Sequence, residues 1–264
     1  VTATAESYFI RLDQHRYRPT DATSGAWNTA EQHISPMNGL IVQAVERFCS
    51  ERGPDPMALS RISIDILGAL PMEPFSVVVE VIRPGRTIEL LEAVVTSGGR
   101  PAVRARIWRT IGTDTTQVAG GEADRLPDPN DCELLVLSDD WPGGYIDSIK
   151  LRSVGTPEPG RGTAWVSTGT SLVADEPSSD LARLVGLADT ANGFCMRESM
   201  DSWLFPNVDL AIQLFRQPTG VRLGLDTTVV FGPSGLGVTT TALHDDAGHF
   251  GYAQQSLTIR ARGK

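Results

Sequence analysis

The sequence predicts an α+β fold built from two copies of one unit, each a long helix followed by a curved antiparallel sheet. Two observations carry this. Alternating and β-branched segments, punctuated by tight Gly and Pro turns, occur in the same order in both halves, and each set follows one helical stretch. Corresponding segments recur at a spacing of roughly 140 to 150 residues, which marks an internal duplication. The expected bounds are 1–112 for the first unit, 113–143 for a connector and 144–264 for the second unit.

The first unit opens on an extended piece from Tyr8. A helix is predicted over 37–52, because Leu40, Ile41, Ala44, Val45 and Phe48 fall on one face. Ser35 is its candidate N-cap and Pro36 suits a first helical position, where the missing N–H costs nothing. Strands follow at 62–67, 75–82, 87–96 and 102–110, with turns at Pro84 and Gly85 and at Gly98 and Gly99. The connector is rich in Gly, Pro and Asp. The second unit repeats the order with an extended piece from Tyr145, then a helix capped by Ser178 or Ser179 and ending near Asn192 and Gly193. Leu181, Leu184, Val185 and Ala188 form its apolar stripe, and strands follow at 208–214, 221–231, 238–243 and 250–259.

Composition bounds the function classes. With 41% apolar and 21% charged residues the chain is an ordinary globular protein. A net charge of -9 argues against a general nucleic-acid binder, which needs clustered positive charge. No apolar run approaches the roughly 18 residues of a membrane helix, and the start of the chain lacks a basic-then-apolar leader, so a cytoplasmic location is expected. Cys49, Cys132 and Cys195 lack metal-ligand spacing and are expected as reduced thiols. Leu236 stands where a nucleophile elbow needs its second Gly, which removes the 232–237 segment as a serine-hydrolase motif. His244, Asp245, Asp246 and His249 read as hairpin chemistry, and no metal is expected.

Three segments carry a resemblance: Val185-Gly-Leu-Ala-Asp189-Thr-Ala-Asn-Gly193 on the second helix, Phe205-Pro-Asn-Val-Asp209 before the next strand, and Tyr252-Ala-Gln-Gln255-Ser-Leu on the last. In this order they resemble the TesB-type acyl-CoA thioesterase family, whose fold is a double hotdog. The resemblance implies hydrolysis of an acyl-CoA thioester by a water that an Asp, a Thr or similar residue, and a Gln orient and activate. By position these are Asp189, Asn207 and Gln255, and Asn207 departs from the usual hydroxyl residue. It further implies backbone oxyanion donors at the start of the first helix, near Asn38 and Gly39, no cofactor beyond the coenzyme A of the substrate, and a homo-oligomer. General-base catalysis by Asp189 and direct attack to form an anhydride both remain open.

Taken without the family, the three residues differ in what they signal. Asp189 lies at the edge of its helix stripe, where a solvated carboxylate is the ordinary outcome. Gln255 shares a strand face with Ala253, Leu257 and Ile259, so it interrupts an apolar row and requires polar partners. Asn207 is on the opposite parity to Val208, Leu210, Ile212 and Leu214, as a turn residue before a strand would be. Neither predicted helix contains a His, which favours hydrolysis over hydration, and the first copy presents Val42 and Gln43 where the second has Asp189. The acyl chain is expected near Leu184 and Phe194, and the coenzyme A phosphates near Arg11, Arg16, Arg18, Arg104 and Arg106. The rival reading is a catalytically weak acyl-CoA or lipid-binding protein that keeps the groove with an altered triad.

Overall fold

The structure, a computed structural model, describes residues 7–137 and 140–263. The first six residues, on which the expected lack of a leader rests, lie outside the described residues, as do Ser138, Asp139 and Lys264. The first half contains β1 (Ser7–Arg11), β2 (Arg16–Pro19), α1 (Ile34–Glu51), β3 (Met57–Ile66), β4 (Phe75–Arg83), β5 (Ile88–Ser97) and β6 (Arg100–Ile111). After β7 (Glu133–Leu135) come α2 (Gly144–Ser148), β8 (Ile149–Ser153), β9 (Arg161–Thr168), β10 (Ser171–Val173), α3 (Asp180–Val185) and α4 (Ala191–Phe194). The chain finishes with β11 (Trp203–Leu204), β12 (Asp209–Leu214), β13 (Arg222–Phe231), β14 (Leu236–Asp245), β15 (Gly248–Thr258) and β16 (Arg260–Ala261).

All strands except β11 and β16 join one 14-stranded sheet in the order β10-β1-β2-β4-β5-β6-β3-β12-β15-β14-β13-β9-β8-β7. Its centre is the antiparallel pair of β3 and β12, where Ile62 faces Ile212 and Ile64 faces Leu210. Outward from that seam the order is the same on both sides, a pseudo-twofold that joins two hotdog units through their strands. All four seam residues are buried, and each such side chain contributes roughly 1.5–3 kcal/mol of transfer free energy. The period-2 pattern holds along β15, where Ala253, Gln255 and Leu257 are buried and Tyr252, Gln254 and Ser256 are exposed. Val208 departs from its expected apolar row: it precedes β12 and is 45% exposed.

The helices depart from expectation in informative ways. α1 begins at Ile34, and its N-cap is His33 rather than Ser35, because His33 Nδ1 accepts the Ser35 N–H at 3.1 Å. Ser35 Oγ instead accepts a hydrogen bond from the Tyr145 hydroxyl at 3.0 Å. Tyr145 itself lies in α2, not in a strand. The predicted second helix is broken: α3 ends at Val185, a 3-10 turn covers Ala188–Thr190, and α4 follows. Ser179 caps it as expected, accepting from the Ala182 N–H. Gly193 does not terminate it and lies inside α4.

The break has a packing cause. α1 crosses α3 so closely that a Cβ on Gly39 would stand 2.7 Å from the Ala182 carbonyl oxygen and 3.0 Å from Gly186 Cα. After Gly186 the hydrogen bonds tighten to the i to i−3 pattern, from Leu187 N to Leu184 O and from Thr190 N to Leu187 O. Among the described residues no helix is long and apolar enough to cross a membrane.

Candidate active site

The 3-10 turn determines where Asp189 points. A continuous helix would leave it at the stripe edge, whereas the tightened turn buries it to 7% exposure against the start of α1. Its neighbour Thr190 exchanges a 2.7 Å hydrogen bond with the Tyr145 hydroxyl, which ties this turn to α2.

The structure brings the three expected residues together. Asn207 Nδ2 and Gln255 Nε2 each donate to Asp189 Oδ1 at 2.7 Å. Asn207 reaches it from a short bridge that pairs it with Leu257, and its second amide hydrogen goes to the Asp209 carbonyl at 3.0 Å. Gln255 rises from the buried face of β15, and its Oε1 is buried without a protein partner. Asp189 Oδ2 has no hydrogen bond among the described residues. The carboxylate is therefore oriented through one oxygen and open at the other.

Burial raises the Asp189 pKa to about 7, against the opposing pull of the Asn207 and Gln255 amides. Desolvation dominates because the charged form loses its water and gains only two neutral donors. Such a group gives up or takes a proton near neutrality, which is what a general base requires.

Asp189 and Asn207 face a cleft of about 580 Å³ whose apolar wall includes Trp27, Ile34, Ile66 and Leu70. An adjoining pocket of about 30 Å³ that also reaches Asp189 is lined by Trp27, Leu137, Trp141 and Ile146. Trp27 stands edge-on to Trp141 at 4.8 Å and to Phe205 at 5.2 Å, so the inner end is a rigid aromatic wall. His33 borders both spaces. Sequence reasoning missed it, although a His directly before an apolar helical stripe is a visible signal. Surrounding protein lowers its pKa to about 3, so the ring is neutral.

Other expected residues lie elsewhere. Asn38 and Gly39 are fully within α1, with Asn38 buried and Gly39 against α3, and neither lines the cleft. The helix starts earlier than expected, so its free end is at Ile34. Leu184 and Phe194 belong to the packed core, and the apolar lining of the cleft comes from other elements. The proposed basic patch is spent on local ion pairs: Arg11 with Glu176, Arg16 with Asp13, and Arg104 and Arg106 with Glu92. Arg18 does not line the cleft either; its cationic residues are Arg260 and Arg262. In the first copy Gln43 binds Glu176 and Ser178, so an amide network occupies the place compared with Asp189. Asp245 holds Arg216 through both carboxylate oxygens at 2.6 Å, and among the described residues no three metal-capable side chains cluster.

Residues 23–110 match the acyl-CoA thioesterase N-terminal domain family and residues 122–259 match the C-terminal domain family. A search of curated proteins returns no significant match. Among solved structures, a hot dog fold protein of unknown function from Alicyclobacillus acidocaldarius superposes with a TM-score of 0.76 at 12% identity, covering 100% of both chains. The tesB protein of Mycobacterium avium subsp. paratuberculosis superposes with a TM-score of 0.69 at 14% identity over 96% of this chain and 95% of that one. Acyl-CoA thioesterase II of Mycobacterium marinum gives 0.65 at 14% identity over 97% and 96%. These structures share the fold, and the two domain matches together span most of the chain. With a double hotdog framework and both thioesterase domains in sequence order, the chain belongs to the acyl-CoA thioesterase family and is a thioester hydrolase.

Proposed function

We propose that the protein hydrolyses fatty or related acyl-CoA thioesters with Asp189 as general base, oriented by Asn207 and Gln255, and without a resident cofactor. The observation that carries this is the buried Asp189 carboxylate, held through Oδ1 by two amides and open at Oδ2 beside an apolar cleft. A water in the cleft gives one proton to Asp189 Oδ2 and keeps the other on the oxygen that attacks. The water oxygen attacks the thioester carbonyl carbon, the tetrahedral intermediate collapses with cleavage of the C–S bond, and coenzyme A leaves as the thiolate. The proton on Asp189 then passes to solvent or to the thiolate.

The Asn207 departure motivated the rival reading of a weakly active binding protein. Its 2.7 Å bond to Asp189 favours hydrolysis, because an amide there meets the carboxylate as a hydroxyl donor would. The apolar side chains exposed on β13 and β14, Val230, Leu236 and Val238 among them, support a further proposal that the protein associates as a homo-oligomer, measurable as its mass in solution. The functional test is release of coenzyme A thiol from short, medium, long and aromatic acyl-CoAs. Turnover above buffer on at least one chain length and its loss in Asp189→Asn are expected. Turnover that survives Asp189→Asn unchanged would refute the assignment of the base.

A further inference from the structure

We propose that His33 is the oxyanion donor of the reaction: its Nε2–H, left free by the N-cap bond at Nδ1, hydrogen-bonds the thioester oxygen as negative charge develops there. The inference deepens the general-base reading of Asp189 and rests on it.

The tautomer follows from the helix cap. Because Nδ1 accepts the Ser35 N–H at 3.1 Å, the single proton of a neutral imidazole is on Nε2. No hydrogen bond is made by that nitrogen among the described residues, and the ring borders the same cleft as Asp189 and Asn207. Lowered basicity keeps the ring neutral through the working pH range, so it donates a hydrogen bond without giving up its proton. His33 is then a fixed dipole rather than an acid.

The ring is also held still, as a preorganised donor must be. It stacks on Tyr145 with centroids 4.2 Å apart and planes 25° apart. Its backbone N–H donates to the Thr23 carbonyl at 2.7 Å, and Gly25 packs so tightly that a Cβ there would stand 2.8 Å from the His33 nitrogen. Tyr145 is fixed in turn by Ser35 and by Thr190, the residue after Asp189. One chain of contacts therefore positions the donor relative to the base. Main-chain alternatives at this end of α1 are few, since the Ser35 N–H is taken by His33 and Pro36 has none.

His33→Asn and His33→Ser test the proposal, because Asn and Ser are both favoured N-caps and keep an acceptor for the Ser35 N–H while lacking the reach of the imidazole. The expected result is a kcat lower by about 10²–10³-fold, the usual effect of deleting one oxyanion donor, with KM little changed. A structural role alone would instead lower the melting temperature and leave kcat of the folded protein intact. The second measurement does not need turnover: octanoyl-CoA labelled with carbon-13 at the thioester carbonyl is bound to Asp189→Asn protein and its carbonyl infrared band recorded. The band is expected at lower wavenumber than in free octanoyl-CoA, and to move back when His33→Asn is added. An unchanged kcat in either folded variant, or a band that His33→Asn does not move, overturns the proposal. If Asp189→Asn still turns over at full rate, the base assignment fails, while the kcat of the two folded His33 variants still decides the role of His33.

Discussion

Both hydrogens of the Asn207 amide are committed inside the protein, one to Asp189 Oδ1 at 2.7 Å and one to the Asp209 carbonyl at 3.0 Å. Asn207 is thus a clamp on the carboxylate rather than a donor to water. A hydroxyl has one hydrogen and makes only one of these two bonds. Asn207→Ala should lower kcat roughly 10- to 100-fold, from loss of a hydrogen bond to a charged group worth about 1.5–3 kcal/mol. Asn207→Thr should retain more activity than Asn207→Ala in the same thiol-release assay. Equal losses in the two variants would show that donation to Asp189 is not what the position supplies.

The pH profile follows from the same carboxylate. Asp189 must be ionised to accept a proton, and its pKa is about 7, raised mainly by burial. The rate should therefore rise with pH between about 6 and 8 and level off above, rather than being flat down to pH 5 as an ordinary aspartate would allow. Measuring kcat across that range with octanoyl-CoA checks it, and a profile flat from pH 5 upward contradicts it.

The raised pKa also predicts a stability effect opposite in sign to that of a salt-bridged aspartate. The folded state binds the Asp189 proton more tightly than the unfolded chain, so the group's contribution is complete below about pH 4 and is lost as pH rises toward 7. Above that, the ionised carboxylate costs up to about 4 kcal/mol relative to a neutral side chain. Asp189→Asn should raise the melting temperature at pH 8 and give a smaller gain at pH 5. A gain independent of pH would mean that desolvation of the charge is not its source.

Which parts of this site the sequence made legible depends on how local the controlling physics is. Gln255 was readable because strand parity is local: alternation alone puts it on the buried face with Ala253 and Leu257. The hairpins that join β4 to β5 and β5 to β6 were readable for the same reason, through turns that depend on a few residues, such as Gly98 and Gly99 with their positive φ angles. Asp189 was not, since a helical wheel assumes a continuous helix and the break after Gly186 arises from the crossing of α1, far away in sequence. The cationic rim was illegible on similar grounds. Arg260 reaches the cleft because β16 pairs with β11, at Leu204, a register that no local pattern specifies.

That crossing can be tested directly. A Cβ at position 39 meets backbone on two sides, the Ala182 carbonyl and Gly186 Cα, and neither can rotate away. Gly39→Ala should destabilise the protein by roughly 1–3 kcal/mol, the usual cost of overpacking. For a chain of this size that corresponds to a melting temperature lower by roughly 2–10 °C. Gly112→Ala serves as the control, because nothing lies within 4 Å of a Cβ there. Equal melting temperatures for the two variants would show that α1 and α3 are less closely apposed.

Substrate binding works against the overall charge, because a chain of net charge -9 must bind a polyanion. Arg260 and Arg262 are the cationic residues on the cleft lining, and among the described residues neither pairs with a carboxylate, in contrast to Arg11, Arg16, Arg104 and Arg106. Guanidinium groups without a carboxylate partner on the lining of an apolar cleft suit the coenzyme A phosphates, which they can contact bidentately. Replacing both with Gln should raise KM for acyl-CoA roughly 3- to 10-fold per lost contact of about 1 kcal/mol and leave kcat nearly unchanged, because the phosphates are remote from the reacting carbon. The salt dependence of KM should also weaken in the double variant, since the screened attraction is what was removed. Hydrolysis of a short acyl-pantetheine thioester, which lacks the nucleotide phosphates, should be indifferent to the change. A KM increase of the same size on that truncated substrate would assign the arginines to the cleft's shape instead of to phosphate recognition.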